Sequence, residues 1–499
     1  MMRVKKMMAA VLCAALAVTA VGCGKQNTVS DGDKRQIYLF MNNGAASAGS
    51  TSNDKDLKMV QEKVLQETGI EPVLINAGAG AEQEKLNVLL ASGERIDAFW
   101  GDWPTYSKDR VIVPIGELID QYGPDIKRLT IPDMWASVTD SEGKIWGIPR
   151  NPATASMPTF VRTDWLEKYG LSMPKTLEEL ETVLATFKEK DPAGNGATIP
   201  LVLQYTGMKR GLSAAFTGHG YGQWIDVSDN NRVKPVELHP GYKAMVEKVA
   251  EWYQKGYIDR EGFSIKQAQV REQIKQNKVG MHMEWYSNIT LFEPDLQINY
   301  PGANYDIAVW EGPAGRAETI TKGSQKALVV TKQCKAPEDV IKLINWGHEK
   351  LDNYYTLQSG IEGVHWDYAN AEKTYIKERN PDSKTYFGDF NFALGVMEYQ
   401  VDRDNPEVTI HQKYLFNDIL DYDRGVKGLD YAIYYDMELM KKDIPTMSDI
   451  NRMMEEEIVK FVTGNRPLTE WDSFIADLYK IGMDNYIDVY TREYQKLTN

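Results

Sequence analysis

The chain has 499 residues, a formal net charge of −14 and three cysteines. Nucleic acid and anionic lipid surfaces repel so acidic a protein, which argues against both as partners. The length is enough for two domains or lobes with cores of their own, and 12 tryptophans and 27 tyrosines are a large supply of flat rings for an acidic chain.

The amino terminus has the organisation of a bacterial export signal. Residues 1–8 are basic, and the apolar run 9–21 is shorter than the ~20 residues that a membrane-spanning helix needs. Small residues then lead to Cys23, an arrangement that resembles the lipobox of bacterial lipoproteins, although Ala20 stands where that motif usually has leucine. We predict a signal peptide over 1–22 and lipidation of Cys23. The alternative is an ordinary signal peptide with an incidental cysteine.

The segment after the cysteine is polar and cannot bury enough apolar surface to fold, so 23–35 is predicted to be a lipidated cysteine and a flexible tether. Cys13 falls within the predicted signal peptide, which leaves Cys334 without a partner for an intramolecular disulfide. The folded body must therefore be stabilised by burial of apolar surface.

Strand and helix patterns alternate after the tether. Three short apolar runs read as strands, and three amphipathic segments, each followed by glycine, read as helices. The predicted strands are 36–42, 72–76 and 96–100, and the predicted helices are 54–68, 81–92 and 113–122. This order predicts βαβ units and a parallel sheet, in which ligands bind at the carboxyl ends of strands.

A second α/β region follows a hairpin arm at 143–150. Its predicted elements include a capping box at Thr176 and Glu179, a strand at 279–285 and, near the end of the chain, a mostly helical part. Alternation along that strand places Trp285 on the buried face and Glu284 on the other. The remaining predicted elements are a strand at 160–164 and helices at 165–169, 240–255, 272–276, 447–461 and 471–497. The fold class is α/β with two lobes.

Several motifs carry a resemblance over most of the chain. They are GKIWGIP (143–149), RTDWLEKYGL (162–171), PKTLEEL (174–180), KVGM (278–281), GIEGVHW (360–366) and EWDSFIADLYKIG (470–482). In this order they resemble the family 1 extracellular solute-binding proteins, in particular the long lipoproteins that serve bacterial carbohydrate ABC importers.

The resemblance implies a periplasmic-binding-protein-like fold of the class II type, with hinge strands joining two lobes. We expect an N-terminal lobe of 36–155 plus about 310–375 and a C-terminal lobe of 156–309 plus about 376–499. It further implies a monomer held on the extracellular face of the cell membrane, which closes on a sugar or oligosaccharide and delivers it to ABC permease subunits. Long members are similar to binders of plant-wall or acidic oligosaccharides.

A sugar is gripped by aromatic rings that stack on its faces and by polar groups around its rim. Aromatic and polar side chains at predicted strand ends and in a glycine-bracketed loop meet that description. The candidate ligand contacts are Asn43, Trp100, Asp102, Trp103, Arg150, Trp285, Glu362 and Trp366. Core packing is the alternative for a tryptophan, a turn for Asn43, and a salt bridge between the lobes for Arg150.

The segment 191–196 (DPAGNG) stands where several relatives have a calcium loop. Calcium needs six to eight oxygen ligands, but Ala193, Ile199 and Val202 occupy ligand positions, so only Asp191 and Asn195 can contribute side chains. We expect no calcium and no other cofactor.

Catalytic and nucleotide-binding motifs are absent from the sequence: the chain has no GxSxG elbow, no HExxH and no phosphate-binding P-loop. We therefore predict a binding protein that is not an enzyme. A peptide-binding lipoprotein and a secreted glycan-active enzyme remain the alternatives.

Overall fold

The structure, a computed structural model, describes residues 35–41, 54–76, 82–140, 142–150, 154–155, 157–373, 376–379, 422–431 and 433–498. The predicted signal peptide, Cys23, the tether and Asn43 lie outside these ranges. Among the residues described, no helix combines the length and the apolar composition that crossing a bilayer requires.

Strands and helices alternate along most of the described chain. The strands are β1 (Arg35–Met41), β2 (Ile70–Asn76), β3 (Ala98–Asp102), β4 (Ile112–Val113), β5 (Ile148–Pro149), β6 (Thr154–Ala155), β7 (Thr159–Arg162), β8 (Ile199–Val202), β9 (Gln223–Asp226), β10 (Arg232–Pro235), β11 (Val279–Met283), β12 (Tyr305–Ala308), β13 (Glu311–Gly312), β14 (Gly315–Arg316), β15 (Thr319–Thr321), β16 (Lys326–Thr331), β17 (Trp366–Tyr368), β18 (Ile376–Glu378) and β19 (Val426–Lys427). The helices are α1 (Asp54–Thr68), α2 (Glu82–Ser92), α3 (Trp103–Lys108), α4 (Gly116–Tyr122), α5 (Pro124–Leu129), α6 (Pro132–Ala136), α7 (Thr163–Lys168), α8 (Leu177–Lys190), α9 (Tyr205–Gly211), α10 (Ala214–Thr217), α11 (Pro240–Gln254), α12 (Gln267–Lys275), α13 (Glu293–Asn299), α14 (Pro337–Glu349), α15 (Leu351–Ser359), α16 (Met437–Asp443), α17 (Met447–Thr463), α18 (Trp471–Lys480) and α19 (Met483–Thr498).

The N-terminal lobe is built on one sheet with the strand order β2-β1-β3-β16-β4, and β5 also pairs with β16. β1 is parallel to β2 and β3, as the βαβ pattern predicts, whereas β16 returns from far along the chain and is antiparallel to β3. Successive strand residues point to opposite faces. Leu39 and Leu328 therefore belong to one core, and Phe40 and Val329 to the core on the other face.

The C-terminal lobe has a four-stranded sheet in the order β12-β7-β11-β8. Helices on this sheet form the largest core, in which Phe187 of α8 and Trp252 of α11 join Ile458 of α17 and Phe474 of α18. The mostly helical carboxyl-terminal part was predicted from apolar periodicity, and the structure confirms it.

A small third sheet, the hinge sheet, lies between the lobes in the order β19-β15-β6. β6 stands between β5 of the N-terminal lobe and β7 of the C-terminal lobe, and β15 makes the return crossing to β16. The C-terminal lobe packs closely against this sheet: a Cβ on Gly220 would lie 2.6 Å from the backbone nitrogen of Gly428, next to β19. Only glycine fits there.

Two local predictions have different outcomes. The capping box exists in part: the Thr176 hydroxyl accepts a hydrogen bond from the backbone N–H of Glu179 at 3.2 Å, but the Glu179 carboxylate accepts the N–H of Lys175 instead of that of Thr176. The strand predicted at 279–285 ends at Met283, and all five of its residues are buried. Because β11 lies between two strands and both of its faces are covered, its alternation does not separate inside from outside.

The prediction for the two residues after β11 is therefore wrong. Glu284 is buried at 3% exposure and pairs with Arg271 at 2.7 Å, whereas Trp285 is 38% exposed.

Candidate functional site

In each lobe, one end of the strands lies next to the hinge sheet. In the N-terminal lobe, β3 ends at Asp102, which pairs with Lys326, the first residue of β16 after the hinge crossing. In the C-terminal lobe, β11 ends at Met283, which pairs with Thr159, the first residue of β7 after the other crossing. The carboxyl ends of β3 and β11 therefore flank the gap between the lobes, which we call the cleft.

Two predicted contacts share one face of β3. Trp100 is 8% exposed, and the guanidinium of Arg150 lies over its ring, 6.0 Å from the centroid. Asp102, two residues on, lies on the same face because side chains alternate along a strand. Its carboxylate accepts a hydrogen bond from the Thr105 hydroxyl at 2.9 Å, which fixes its orientation.

Trp103 is directed to the opposite face of the sheet. Its ring is parallel to that of Trp146, with centroids 6.2 Å apart, and its indole N–H donates to the carbonyl of Ser137 at 2.8 Å. The sequence groups Trp100, Asp102 and Trp103 within four residues, but the structure divides them between two sides of the N-terminal lobe.

Trp366 is a core residue, and its prediction as a sugar-stacking surface is wrong. It is 1% exposed, its indole N–H donates to the carbonyl of Gly360 at 2.8 Å, and its ring packs on Tyr355 and Tyr368. The buried indole holds the glycine-bracketed loop against the core of the lobe.

Glu362 is exposed on the same loop. The loop reaches the first turn of α1, because His365 Nε2 lies 3.4 Å from a carboxylate oxygen of Asp56. Since α1 follows the carboxyl end of β1, this places the loop at the cleft edge of the sheet. Glu362 stays a predicted contact.

The C-terminal lobe has an exposed tryptophan next to a half-buried tyrosine at its cleft edge. The rings of Trp285 and Tyr286 lie 5.3 Å apart directly after β11. α9 packs beside the same strand end, where a Cβ on Gly211 would meet the sulfur of Met283 at 3.2 Å.

Arg210 and Tyr221 also lie at this cleft edge, but they are not among the ligand contacts predicted from the sequence. Arg210 is half-buried on α9, and its guanidinium lies 4.6 Å from the ring centroid of Tyr221. The backbone N–H of Tyr221 donates to the hydroxyl of Thr319 in the hinge sheet at 3.3 Å. α9 has only seven residues, too few for a helical periodicity to show, and the one available signal was a pair of cations closely following an apolar strand.

A second space between the lobes, a cavity of ≈ 350 Å³, lies beside Trp103. Lys108 and Asp436 form an ion pair across it, and the Tyr431 hydroxyl donates to Asp133 at 3.0 Å. Burial raises the pKa of Tyr434, which also lines the cavity, to about 12.

The cavity and the predicted contacts occupy different places around the hinge sheet. β6 and β19 are the outer strands of this sheet; Arg150 precedes β6, and the 433–436 segment follows β19. The cavity and the Trp100–Arg150 pair lie on opposite faces of the N-terminal sheet, because Trp103 and Trp100 belong to the cores on its two faces.

The 191–196 loop is organised by its own backbone. One oxygen of Asp191 accepts the N–H of Gly196 at 2.6 Å and the other accepts the N–H of Thr198 at 3.0 Å. Hydrogen bonds from Thr198 and Gly196 lower the pKa of this carboxyl group. Asn195 has a left-handed backbone with φ 57°. Within the described ranges no three His, Cys, Asp or Glu residues form a group that could hold a metal, and the expectation of no calcium stays a prediction.

The profile of a family described as bacterial extracellular solute-binding protein matches residues 48–347. The chain belongs to this family. This confirms the resemblance on which the fold, the solute-binding role and the extracellular setting were predicted.

Three proteins illustrate the similarity of this solute-binding protein to known ones. The fructooligosaccharide ABC transporter substrate-binding protein FusA of Streptococcus pneumoniae serotype 4 is 24% identical over 98% of this chain and 97% of its own. Lipoprotein LipO of Bacillus subtilis is 22% identical, with 99% of each chain covered. The crystal structure of the alginate-binding protein AlgQ2 without calcium ion has a TM-score of 0.63 and 22% identity, covering 94% of this chain and 100% of that one.

Proposed function

We propose that this solute-binding protein captures an oligosaccharide in the cleft and delivers it to the permease of an ABC importer, while a lipid on Cys23 holds it at the outer face of the cell membrane. The observation that carries the proposal is that both cleft edges have side chains suited to a sugar. Trp100 with Arg150 and Asp102 lies on one side, and the exposed Trp285 lies on the other.

These side chains match the two surfaces of a sugar. The faces of a pyranose or furanose ring carry C–H groups that stack on an indole, and its rim carries hydroxyls that bind carboxylate and guanidinium groups. Trp285 supplies an accessible ring, while Asp102 and Arg150 supply rim partners. Stacking and hydrogen bonds of this kind hold a sugar without changing its covalent bonds. This supports a binding role over an enzymatic one.

The relatives support the ligand class and the membrane setting. FusA is named for fructooligosaccharides, which are neutral, and AlgQ2 for alginate, which is acidic. Together they support an oligosaccharide and leave its charge open. The name of LipO supports lipidation of Cys23.

The hinge sheet supports a closing mechanism. Three short strands connect the lobes, so a small change in their backbone angles would move one cleft edge toward the other. A ligand that touches both edges binds the closed form better than the open form and shifts the population toward it. The closed form would then be the one that the permease receives.

Isothermal titration calorimetry of the full-length chain against neutral and acidic oligosaccharides, with peptides of similar mass as controls, tests the proposal. We expect at least one glycan to bind with a stoichiometry near one and to be recovered intact by mass spectrometry. Binding of peptides alone would favour a peptide-binding lipoprotein, and shortened glycans would favour an enzyme.

A further inference from the structure

The charge of the ligand can be inferred from Arg210, at the place where α9, the end of β11 and the hinge meet. α9 is fixed there by two close approaches: a Cβ on Gly207 would lie 3.1 Å from the Cβ of Met283, and one on Gly211 would lie 2.7 Å from the carbonyl of Met157, just after β6. Arg210, between these glycines, is therefore positioned beside the cleft edge by backbone packing.

Arg210 lacks the carboxylate partner that its neighbours have. Lys209, the preceding residue, pairs with the buried Glu237 at 2.5 Å, and Arg271 in the same lobe pairs with Glu284 at 2.7 Å. Among the residues that the structure describes, no carboxylate lies within 4.0 Å of the Arg210 guanidinium. In a chain with 71 acidic residues, a half-buried arginine without an acidic neighbour is unusual.

The guanidinium of Arg210 lies over the ring of Tyr221, and this contact positions it. A guanidinium that stacks through its face keeps the N–H groups at its edge available, and that edge matches the two oxygens of a carboxylate. Tyr221 is in turn tied to the hinge through Thr319. The arrangement is a preorganised cation at the cleft.

We propose that Arg210 is a specificity-determining contact and that the ligand is an acidic oligosaccharide, one of whose uronate carboxylates pairs with this guanidinium. The inference rests on the proposed function and goes beyond it by assigning the charge of the ligand. The carboxylate that the protein does not supply then comes from the sugar.

Arg260 offers a matched control. Its guanidinium lies over the ring of Tyr253 at the same distance as in the Arg210–Tyr221 pair, 4.6 Å. Arg260 is exposed, however, and lines a surface pocket with Thr198 and Ile199 at the amino end of β8, the strand that runs parallel to β11. Replacement of Arg260 removes the same kind of contact and the same charge without touching the cleft.

The test is calorimetric titration of the full-length chain, Arg210→Gln, Arg210→Lys and Arg260→Gln with tetragalacturonate, tetramannuronate and the carboxyl-reduced form of each. We expect at least one uronate to bind the unmodified chain. Arg210→Gln should lower the affinity for that uronate by about 10- to 100-fold, as for loss of a charged hydrogen bond, and Arg210→Lys should lower it less. Arg260→Gln should bind like the unmodified chain, and the reduced forms should be insensitive to residue 210.

Three results would overturn the inference. Binding of neutral glycans such as fructooligosaccharides without binding of either uronate would leave the proposed function intact and exclude an acidic ligand. Equal loss of acidic and reduced glycans in Arg210→Gln, with an unchanged melting temperature, would make Arg210 a contact for hydroxyls instead of carboxylates. If no glycan binds at all, both proposals fail.

Discussion

At the scale of single residues, two tryptophans that look alike in the sequence have opposite environments. Trp285 is 38% exposed beside Tyr286, whereas Trp366 is 1% exposed with its N–H satisfied by a carbonyl. Both are flanked by polar residues, and neither neighbourhood distinguishes a binding surface from an anchor. Whether each tryptophan is buried depends on the segments that pack against it from distant parts of the chain.

The two tryptophans should therefore respond differently to truncation. Trp366→Ala removes a fully buried ring and should lower the free energy of unfolding by ~3–5 kcal/mol. Trp285→Ala should leave the melting temperature nearly unchanged and weaken glycan binding by about 10-fold, because a stacking contact is lost. Thermal melting and calorimetry of both variants test this, and a large loss of stability in Trp285→Ala would contradict the assigned environment.

At the scale of elements, β11 shows what an apolar run in the sequence can and cannot predict about a strand. Its existence and approximate start were predictable from an apolar run, but its end was not, since both of its faces are covered. The βαβ order of the N-terminal lobe was predictable because each helix has one apolar face and ends at a glycine. The insertion of β16 beside β3 depends on residues more than two hundred positions apart, and no local pattern reports it.

The candidate site was predictable to a similar extent. Strand ends pointed to Trp100, Asp102 and Trp285, because ligands of α/β sheets gather there. The separation of Trp103 from Trp100 follows from the continuation of β3 to Asp102, two residues beyond its predicted end. Arg210 depends on a short helix and a tertiary contact with Tyr221, which only the folded chain displays.

β11 also carries a histidine that should make the C-terminal lobe sensitive to acid. His282 is 1% exposed among Phe160, Phe292 and Tyr305, and no described group hydrogen-bonds to either ring nitrogen. Desolvation lowers its pKa from 6.5 to about 3. The unfolded chain therefore binds a proton near pH 6.5 that the folded chain binds only near pH 3.

Stability should accordingly be greatest above pH 6.5 and should decrease as the pH falls toward 3, by up to about 1.4 kcal/mol per pH unit from this group. Denaturant unfolding of the chain and of His282→Phe between pH 4 and 7.5 tests this, because the difference between the two cancels the contributions of other groups. We expect a shallower pH dependence in the variant. Identical slopes would contradict a neutral buried His282.

At the scale of the whole molecule, the lobes are joined by the hinge sheet and meet beside it. The cavity beside Trp103 is bridged by Lys108 with Asp436 and by Tyr431 with Asp133, whereas the Trp100–Arg150 pair lies on the other face of the N-terminal sheet. Rotation about three short strands would bring the cleft edges together. An oligosaccharide that bridges the cleft edges is expected to drive that rotation toward a more compact form.

Small-angle X-ray scattering of the full-length chain, with and without a saturating concentration of the glycan identified by calorimetry, tests most directly whether the lobes enclose the ligand. We predict a smaller radius of gyration in the saturated protein and no change with a glycan that does not bind. An unchanged radius of gyration at proven saturation would contradict binding between closing lobes.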